Sequence, residues 1–343
     1  MTDVFVIGGG PAGLAAAIAT RKKGFEVTLA DGGAPPLDKP CGEGMMPGTH
    51  AILRDLGVDV SSGGGFAFSG IRFISGGDQV QARFQNGVGI GMRRLLLHQR
   101  MVEAADACGV RFRWNTAVKG IQPGGVLAGK ETVPARWIIG ADGGRSLVRR
   151  WSGLDAVRHN GARYASRRHY GVPPWSEFME IHWGRDTQAY ITPVSAGEIC
   201  VVLLSRHRQI LWEEAWKEFP SLAERLKNAL MTSAERGTVT SMYSLERVYR
   251  GSVALVGDAS GGVDAITGEG LRLSFRQALA LADAMEANDL SRYQSAHRRL
   301  ARRPCWMGRL MLLLGGRAAL RKRAMRAFSS HPETFARLLS IHL

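Results

Sequence analysis

Cysteine is scarce in this sequence, and its four residues lie far apart. Cys41, Cys108, Cys200 and Cys305 form no C-x-x-C pair among the 343 residues. Disulfide frameworks and structural zinc sites both need cysteines at short, regular spacings. The sequence therefore predicts no disulfide framework and no metal site, and its cysteine usage is typical of a reducing cytoplasm.

A long apolar run is also missing. The longest candidate, Cys305–Leu314, contains Arg309 and is far shorter than the ~20 residues that span a bilayer. The chain starts directly with the apolar segment Val4–Ile7, so we expect no signal peptide. These features predict a cytoplasmic protein, or one that lies peripherally on a membrane.

Acidic residues are absent from 290–332, although the whole chain has 30 of them and a formal net charge of +15. Eleven basic residues lie in this segment: Arg292, Arg298, Arg299, Arg302, Arg303, Arg309, Arg317, Arg321, Lys322, Arg323 and Arg326. Pro304 and Gly315–Gly316 predict a division into short helices. Three interpretations stay open: a solvated helical cap, a surface for anionic lipid or a greasy substrate, and a docking face for an acidic acyl carrier protein. Nucleic acid is not expected, because no nucleic-acid-binding motif accompanies the charge.

The most informative segment that is present covers residues 4–31. An apolar strand leads into Gly8, Gly10 and Gly13, spaced as G-x-G-x-x-G, and an Ala-rich helix and a second strand ending in Asp31 follow. The glycines permit a tight turn and a close approach of pyrophosphate, while the helix N-terminus favours phosphate and the acid a ribose. Because all parts occur in order, the segment predicts a dinucleotide site.

Two later segments indicate which dinucleotide. Residues 137–149 read W-I-I-G-A-D-G-G-R-S-L-V-R, and 252–259 read S-V-A-L-V-G-D-A, followed by T-G-E-G at 267–270. This set resembles the FAD-dependent oxidoreductases that include p-hydroxybenzoate hydroxylase-like aromatic hydroxylases, geranylgeranyl reductases and flavin-dependent halogenases. The resemblance implies an α/β fold with a discontinuous Rossmann-type FAD-binding domain of the glutathione reductase kind, a β-sheet substrate domain and a C-terminal helical tail.

The resemblance also implies which residues contact FAD. Asp142 would lie near the pyrophosphate, Asp258 would bind the ribityl chain, and Gly268–Gly270 would begin a helix directed at the isoalloxazine ring. Arg93 or Arg94, at the start of a family-like helix, would reach the cofactor. The complete predicted cofactor set is Gly8, Gly10, Pro11, Ala12, Gly13, Asp31, Arg93, Arg94, Asp142, Gly143, Asp258, Gly268, Glu269 and Gly270.

The domains are expected to interleave along the chain. The FAD-binding domain would comprise 1–60, 86–155 and 245–290, the substrate domain 61–85 and 156–244, and the basic helical region 291–343. Strands are predicted at 178–183, 188–192 and 199–204, helices at 91–109, 208–219 and 221–231, and hairpin turns at 63–65 and 124–125. Candidate pocket residues in the substrate domain are Trp175, His182, Trp183 and Tyr190, each of which is also compatible with a core position.

The reaction is left between alternatives. The first is a monooxygenase that uses NAD(P)H, O₂ and a flavin C4a-hydroperoxide to hydroxylate an aromatic or polyketide-like hydrophobic small molecule. The second is a geranylgeranyl reductase-like reductase or dehydrogenase of C=C bonds in an isoprenoid or lipid-like substrate, favoured by Gly268–Gly270 and by the K-P-C-G-E-G segment 39–44. The third is a non-catalytic flavin-binding protein. No second G-x-G-x-x-G is present, so the nicotinamide would bind transiently, or a separate flavin reductase would supply electrons.

Few residues suggest catalysis by the protein itself, because the flavin would carry the chemistry. Cys41 lies in a loop that the resemblance puts near the flavin, where a thiol is either reactive or a small apolar filler. Glu43 and Glu269 adjoin glycines that are predicted to face the flavin, and either is a candidate base if burial raises its pKa. His182 and Tyr190 complete the set of candidates.

Overall fold

The computed structural model describes residues 2–60, 63–155 and 157–342. Its α-helices are α1 (Pro11–Lys22), α2 (Thr49–Leu56), α3 (Arg94–Ala107), α4 (Leu147–Trp151), α5 (Trp212–Glu218), α6 (Pro220–Leu226), α7 (Gly270–Glu286), α8 (Leu290–Gly316), α9 (Ala318–Ser330) and α10 (Pro332–His342). Short 3₁₀ turns cover Gly257–Ala259 and Ala265–Thr267.

The strands form three sheets. They are β1 (Thr2–Ile7), β2 (Val27–Ala30), β3 (Gly44–Met45), β4 (Gly65–Phe68), β5 (Gly70–Ser75), β6 (Asp78–Arg83), β7 (Gly89–Met92), β8 (Arg111–Arg113), β9 (Val118–Gln122), β10 (Gly125–Ala128), β11 (Glu131–Gly140), β12 (Val157–Tyr170), β13 (Phe178–Trp183), β14 (Thr187–Ser195), β15 (Glu198–Ser205), β16 (Arg236–Leu245), β17 (Tyr249–Arg250), β18 (Val253–Leu255) and β19 (Gly261–Gly262).

The first sheet has a parallel centre. Its order is β17-β18-β11-β1-β2-β8, with the β9–β10 hairpin attached to β11. Val4 of β1 pairs with Trp137 on one side and Val27 on the other. The strands are apolar runs because helices α1, α3 and α7 cover one face, while α4 and the β9–β10 hairpin cover the other. Because β1, β2, β11 and β18 run in parallel, the loops after their carboxyl ends meet at one edge.

The second sheet is largely antiparallel, in the order β19-β16-β12-β15-β14-β13-β5-β6. Within the described chain, β13 and β5 are the pair of neighbouring strands in this sheet that runs parallel. Helices α5 and α6 pack on one face around the buried Trp212. Helices α8, α9 and α10 pack on the other face through Met307, Met311 and Phe335. The third sheet, β3-β7-β4, joins the two larger ones.

Most of the predicted elements are confirmed, and the differences have physical causes. The strands near 178–183, 188–192 and 199–204 are β13, β14 and β15, and the predicted 91–109 helix is α3. Gly124 turns between β9 and β10 with a φ of 78°, as predicted. Segment 63–65 is not a hairpin turn, because Gly65 starts β4 after the α2 region and pairs with β7.

The prediction that Pro304 divides the basic segment is wrong. Pro304 lies inside the 27-residue α8 and is buried. A proline removes one helical hydrogen bond. Residues before and after it, including Tyr293, Met307 and Met311, bury one continuous stripe of α8, and that packing sustains the helix past the proline. The predicted break at Gly315–Gly316 is confirmed, since α8 ends there.

The predicted helices at 208–219 and 221–231 are shorter than expected. Helix α5 begins only at Trp212, and α6 ends at Leu226. Helix α6 starts at Pro220, which favours the first helical position and ends α5 directly before it. No helix in 2–60, 63–155 or 157–342 combines the length and the apolarity that crossing a membrane requires.

Candidate functional site

The loop between β1 and α1 is shaped for a phosphate group. A Cβ added to Gly8 would lie 2.5 Å from the Ala141 carbonyl oxygen, and one on Gly13 would overlap the Gly8 carbonyl oxygen. A Cβ on Gly10 would meet no described atom within 4 Å. Two glycines are thus needed for packing, while the third borders open space at the start of α1. Since Pro11 occupies the first helical position, the N–H groups of Ala12 and Gly13 are the ones that the helix leaves for a ligand.

Asp31 closes the other side of this loop. Its carboxylate accepts hydrogen bonds from the Gly9 N–H at 2.7 Å and from the Gly33 N–H at 2.8 Å. An acid held by two backbone donors at the end of β2 is preorganised to accept further hydrogen bonds from a ribose. The predicted position beside the glycine loop is therefore found, while the ribose contact stays a prediction.

His98 is a part of this site that the sequence analysis missed. It lies on α3, is fully buried, and its Nε2 is 2.8 Å from the Gly9 carbonyl oxygen. The Leu37 N–H donates to Nδ1 at 3.4 Å, so Nε2 carries the proton and donates to Gly9. Burial lowers the pKa of His98 and keeps the ring neutral. The contact joins residues 89 positions apart, and no local pattern signals it.

Asp142 has a structural role in addition to the predicted one. Its carboxylate accepts hydrogen bonds from the N–H groups of Leu147 at 2.7 Å and Val148 at 3.1 Å, and from the Ser146 hydroxyl at 2.5 Å. These bonds satisfy the free donors at the start of α4. The carboxylate therefore fixes the loop after β11. Gly143, with a φ of 82°, forms the turn that permits this geometry.

Arg149, the last residue of the A-D-G segment, ties two cofactor loops together. The buried guanidinium donates to the Gly144 carbonyl at 3.1 Å and to the Ala259 carbonyl at 3.3 Å. Asp155 holds its Nε at 2.8 Å. The arginine that ends this motif thus connects the loop after β11 to the loop after β18.

Asp258 follows β18 and lies at the same sheet edge. Its carboxylate is about half exposed and pairs with the Lys39 ammonium at 3.1 Å. The Tyr243 hydroxyl donates to the Asp258 backbone carbonyl. Tyr243 therefore fixes the backbone of Asp258, while the Asp258 carboxylate stays accessible for the predicted contact with the ribityl chain.

The segment from Asp264 to Gly270 leads into α7. Gly268 adopts the left-handed conformation with a φ of 65°, and a Cβ on Gly270 would meet no described atom within 4 Å. Glu269 is buried. Its Oε2 accepts a hydrogen bond from Arg272 at 3.1 Å, whereas its Oε1 has no partner among the described residues. Burial raises the pKa of Glu269 to about 7, although Arg272 opposes the shift. Glu269 directly precedes α7, but its side chain makes no capping hydrogen bond to that helix.

The loop before β3 ends in a buried ionic network. Glu43 adopts a left-handed backbone with a φ of 58°. Its carboxylate accepts hydrogen bonds from the Arg94 N–H at 2.9 Å, the Arg167 guanidinium at 3.2 Å and the His169 imidazole at 2.7 Å. These three donors compensate the burial of the charge. Cys41, two residues earlier, is partly exposed, and its sulfur accepts from the Glu43 N–H at 3.4 Å.

Arg93 belongs to the same network, and its contact with the cofactor stays a prediction. It pairs with Glu198 at 2.9 Å, and its guanidinium is 2.6 Å from His169 Nδ1. A guanidinium can only donate, so His169 is protonated on Nε2 and donates to Glu43.

The Glu43, His169 and Cys200 ligand atoms lie within 4.8 Å of one another, but the guanidinium groups of Arg93 and Arg167 already occupy this cluster. Burial also keeps Cys200 a thiol by raising its pKa well above the ordinary value.

The four candidate residues of the substrate domain divide between two faces of the second sheet. His182 and Trp175 both contact Glu180, and His182 packs edge-on against Phe219 beside α5 and α6. Trp183 and Tyr190 lie on the opposite face, in the apolar cluster with α8–α10. That cluster also contains Ile266, which belongs to the segment leading into α7, and Met46, whose side chain lies beside Gly268 of that segment. Tyr190 and Trp183 thus lie on the sheet face that shares a cluster with the segment leading into α7, and His182 and Trp175 lie on the other face.

A cavity of about 270 Å³ lies between this sheet face and the end of α8. Its lining is largely polar and includes Arg163, Asp186, Gln188 and Arg206, while Leu204 and Leu312 supply its apolar part. The Arg163 guanidinium donates to Asp264 at 2.9 Å and also contacts the Gln188 amide oxygen. The Tyr190 hydroxyl donates to the same amide oxygen at 3.3 Å, and burial raises the pKa of Tyr190. This polar cluster links the cavity to the segment that begins α7.

The arrangement fits a flavin dinucleotide. The glycine loop, Asp31, the Asp142 turn and Asp258 surround one sheet edge, and the helix α7 start lies beside them. Positive helix ends and open space beside Gly10 suit a pyrophosphate, and the N-terminus of α7 suits the electron-rich part of a reduced ring.

Comparisons with known proteins agree with this geometry. The sequence profile of the FAD binding domain family matches residues 1–288. The chain is 27% identical over 319 residues to a menaquinone reductase of Mycobacterium tuberculosis, covering 84% of this chain and 78% of the relative. It is 25% identical over 325 residues to a ubiquinone hydroxylase of Rhodospirillum rubrum, covering 84% and 73%. A flavin-dependent brominase structure superposes with a TM-score of 0.82 at 20% identity, covering 99% of this chain and 94% of the other.

The resemblance drawn from the three motifs is thereby confirmed, as is the fold class. The chain belongs to the FAD binding domain family and is an FAD-dependent oxidoreductase.

Proposed function

We propose that this protein is an FAD-dependent monooxygenase that hydroxylates an aromatic or polyketide-like hydrophobic small molecule, with NAD(P)H as electron donor. The observation that carries the proposal is the cavity of about 270 Å³ whose wall, Arg163 and Gln188, bonds to the segment that begins α7. Bound FAD, once reduced, supplies an oxygen atom from O₂ to an electron-rich substrate. The protein must then bind, orient and shield that substrate.

The residues of the cavity suit this task. Leu204 and Leu312 provide apolar surface. The Gln188 amide N–H groups provide hydrogen-bond donors beside the Arg163 cation, since the Gln188 oxygen already accepts from Arg163 and Tyr190. A phenolic or enolic oxygen can be oriented by such a pair while the rest of the molecule contacts leucines. The apolar cluster of Met46, Ile266 and the α8 methionines excludes water from the same sheet face.

The test is the mass of the product. The FAD-loaded protein is incubated with NADH or NADPH, ¹⁸O₂ and a panel of phenols and naphthols that carry apolar chains. The proposal expects a product that contains one ¹⁸O atom. Tyr190→Phe should raise the substrate KM, because Tyr190 helps to orient Gln188. The matched change Tyr170→Phe, on the α5–α6 face, should not raise it. Label-free products, or equal effects of both variants, would contradict the proposal.

A second candidate function is the reduction of a C=C bond in an isoprenoid or lipid-like substrate. The observation that favours it is Glu269, which is buried, has a carboxylate oxygen without a described partner, and has a pKa raised to about 7. Such a carboxyl can deliver a proton to carbon at neutral pH while a hydride comes from reduced FAD. The named activity of the mycobacterial relative is also a reduction. The assay under nitrogen, with unsaturated isoprenoid alcohols in place of the phenols, distinguishes it: a product two mass units heavier, formed without O₂, would replace the hydroxylase assignment.

A further inference from the structure

Helix α8 exposes a stripe of three arginines and two apolar side chains. Arg298, Arg302, Trp306, Arg309 and Leu313 follow one another at spacings of four, four, three and four residues. These spacings put all five on one side of a helix. Trp306 is 52% exposed and Leu313 is 43% exposed. We call these five residues the α8 stripe.

The opposite side of the same helix is already used by the fold. Its buried residues include Tyr293, His297, Met307, Met311 and Leu314, which pack on α7 and on the second sheet. The α8 stripe is therefore not a partly exposed edge of the hydrophobic core. It is the solvent side of a helix whose other side is firmly packed, and it spans about 22 Å at 1.5 Å per residue.

Among the described residues, no carboxylate forms a salt bridge with the α8 stripe, and Arg298 donates to the Glu246 backbone carbonyl at 3.2 Å. Segment 290–332 has eleven basic and no acidic residues. Within the described chain, the salt bridge that involves this segment joins Arg292 to Asp289, outside the α8 stripe. Arg299 and Arg303 also lie close enough to Arg276 to help lower its pKa, after its burial and Arg272. Cations that repel one another in this way attract an extended anionic surface.

The two apolar residues indicate what kind of anionic surface fits. Tryptophan prefers the boundary between lipid headgroups and acyl chains, and leucine inserts below it. Arginines on either side of them bind lipid phosphates. The arginines alone would be enough to bind an acidic protein. Binding to such a protein would not explain why Trp306 and Leu313 are exposed between the arginines.

The cavity lies next to one end of this surface. Leu312, Gly315 and Gly316 line it, and they belong to the last turns of α8 beside Leu313. A molecule dissolved in a bilayer under the α8 stripe would therefore be close to the cavity.

We propose that the α8 stripe docks this enzyme onto an anionic lipid bilayer, from which the cavity receives a lipid-soluble substrate. The docking step stands on the stripe alone, whereas the substrate step rests on the proposed function.

The first experiment measures docking without turnover. FAD-loaded protein is co-sedimented with vesicles of phosphatidylcholine alone and with vesicles that contain phosphatidylglycerol. We expect binding to the anionic vesicles that falls as salt rises, and at least about a tenfold loss of partition for Arg302→Glu/Arg309→Glu, since each basic residue near the surface contributes on the order of a fivefold factor. Trp306→Ser/Leu313→Ser should also weaken binding.

Matched variants on other surfaces provide the controls. Lys119→Glu/Lys130→Glu reverses two exposed charges near the β9–β10 hairpin, and Leu211→Ser/Leu230→Ser removes two exposed leucines near α5 and α6. Both should bind vesicles like the wild type, and every variant should keep its bound FAD. Equal binding to neutral and anionic vesicles, full binding by the α8 variants, or binding to an acidic carrier protein with none to vesicles would overturn the docking proposal.

A second experiment separates the two steps. Arg302→Glu/Arg309→Glu should lose turnover of a substrate embedded in anionic vesicles but keep turnover of a short-chain, water-soluble analogue. Equal turnover of both substrates by this variant would overturn the delivery step. If wild-type protein binds vesicles but converts neither substrate, the proposed function fails while the docking proposal stands.

Discussion

Arg163 of β12 and Asp264, which precedes the start of α7, form a buried ion pair of 2.9 Å. Both side chains are more than nine-tenths buried. The pair connects the substrate sheet to the segment that the family resemblance places at the isoalloxazine ring. It therefore couples the wall of the cavity to the cofactor side of the enzyme.

Removing one partner of this pair should be costly. We expect Arg163→Ala to lower the free energy of unfolding by about 3–5 kcal/mol, because it leaves the Asp264 charge buried without a cation. Urea denaturation measures this directly. The matched change Arg113→Ala, at an exposed pair with Glu131, should have a much smaller effect. If Arg163→Ala and Arg113→Ala lower the free energy of unfolding equally, the buried pair contributes no more to stability than an exposed one.

The glycine loop allows binding and folding to be separated. Gly10 has a φ of −71° and borders open space, so Gly10→Ala should leave the apoprotein within about 0.5 kcal/mol of the wild type while strongly weakening FAD binding. Gly13→Ala should destabilise the apoprotein itself, because the new methyl group would overlap the Gly8 carbonyl. Thermal unfolding of apoprotein and a flavin fluorescence titration measure the two effects. A Gly10→Ala protein with normal FAD affinity would remove Gly10 from the site.

The predictions from sequence succeeded where they concern the path of the backbone. The order of strand, glycines, helix and acid specifies a turn, and such turns are recognised from spacing alone. Buried parallel strands were recognisable because both their faces are apolar. Tyr190 and His182 could not be assigned to a face, because the side of a sheet that meets the cofactor depends on how the sheets pack.

The buried polar contacts could not be predicted at all. Glu43 and His169 are 126 residues apart, and His98 and Gly9 are 89 apart. No local pattern records which side chains meet across such distances. The predicted helix break at Pro304 was wrong for a related reason. Helix propensity is local, while the packing that overrides it comes from the second sheet.

Asp142 should contribute to stability through its cap on α4. Asp142→Ala should lower the free energy of unfolding of the apoprotein by about 1 kcal/mol, the usual effect of losing a helix-capping acceptor. Asp142→Asn should lose less, because its amide oxygen still accepts from the same N–H groups. Chemical denaturation of the three apoproteins tests this order. An alanine variant as stable as the wild type would show that the cap is dispensable.

Asp258 should matter for FAD and not for the fold. Its carboxylate is about half exposed and its described partner is the exposed Lys39, so Asp258→Ala should leave the apoprotein stable while reducing FAD occupancy. Lys39→Ala removes the same ion pair but keeps the carboxylate, and it serves as the control. Flavin absorbance per mole of purified protein is the measurement. A fully yellow Asp258→Ala protein, or equal losses for both variants, would contradict the ribityl-chain assignment.

Glu269 should make stability depend on pH near neutrality. Its pKa is about 7 in the folded apoprotein and about 4.5 in the unfolded chain, so between these values the folded protein holds a proton that the unfolded chain has released. Stability should therefore fall as pH rises from about 4.5 to 7, by up to about 3 kcal/mol. Glu269→Gln cannot titrate, and the difference between its unfolding free energy and that of the wild type should grow over this interval and then level off. Arg272→Met removes the cation that opposes the shift, so it should move the fall to higher pH. A difference between wild type and Glu269→Gln that stays constant from pH 4.5 to 8 would mean that Glu269 is ionised throughout, and the proton-donor role would be lost with it.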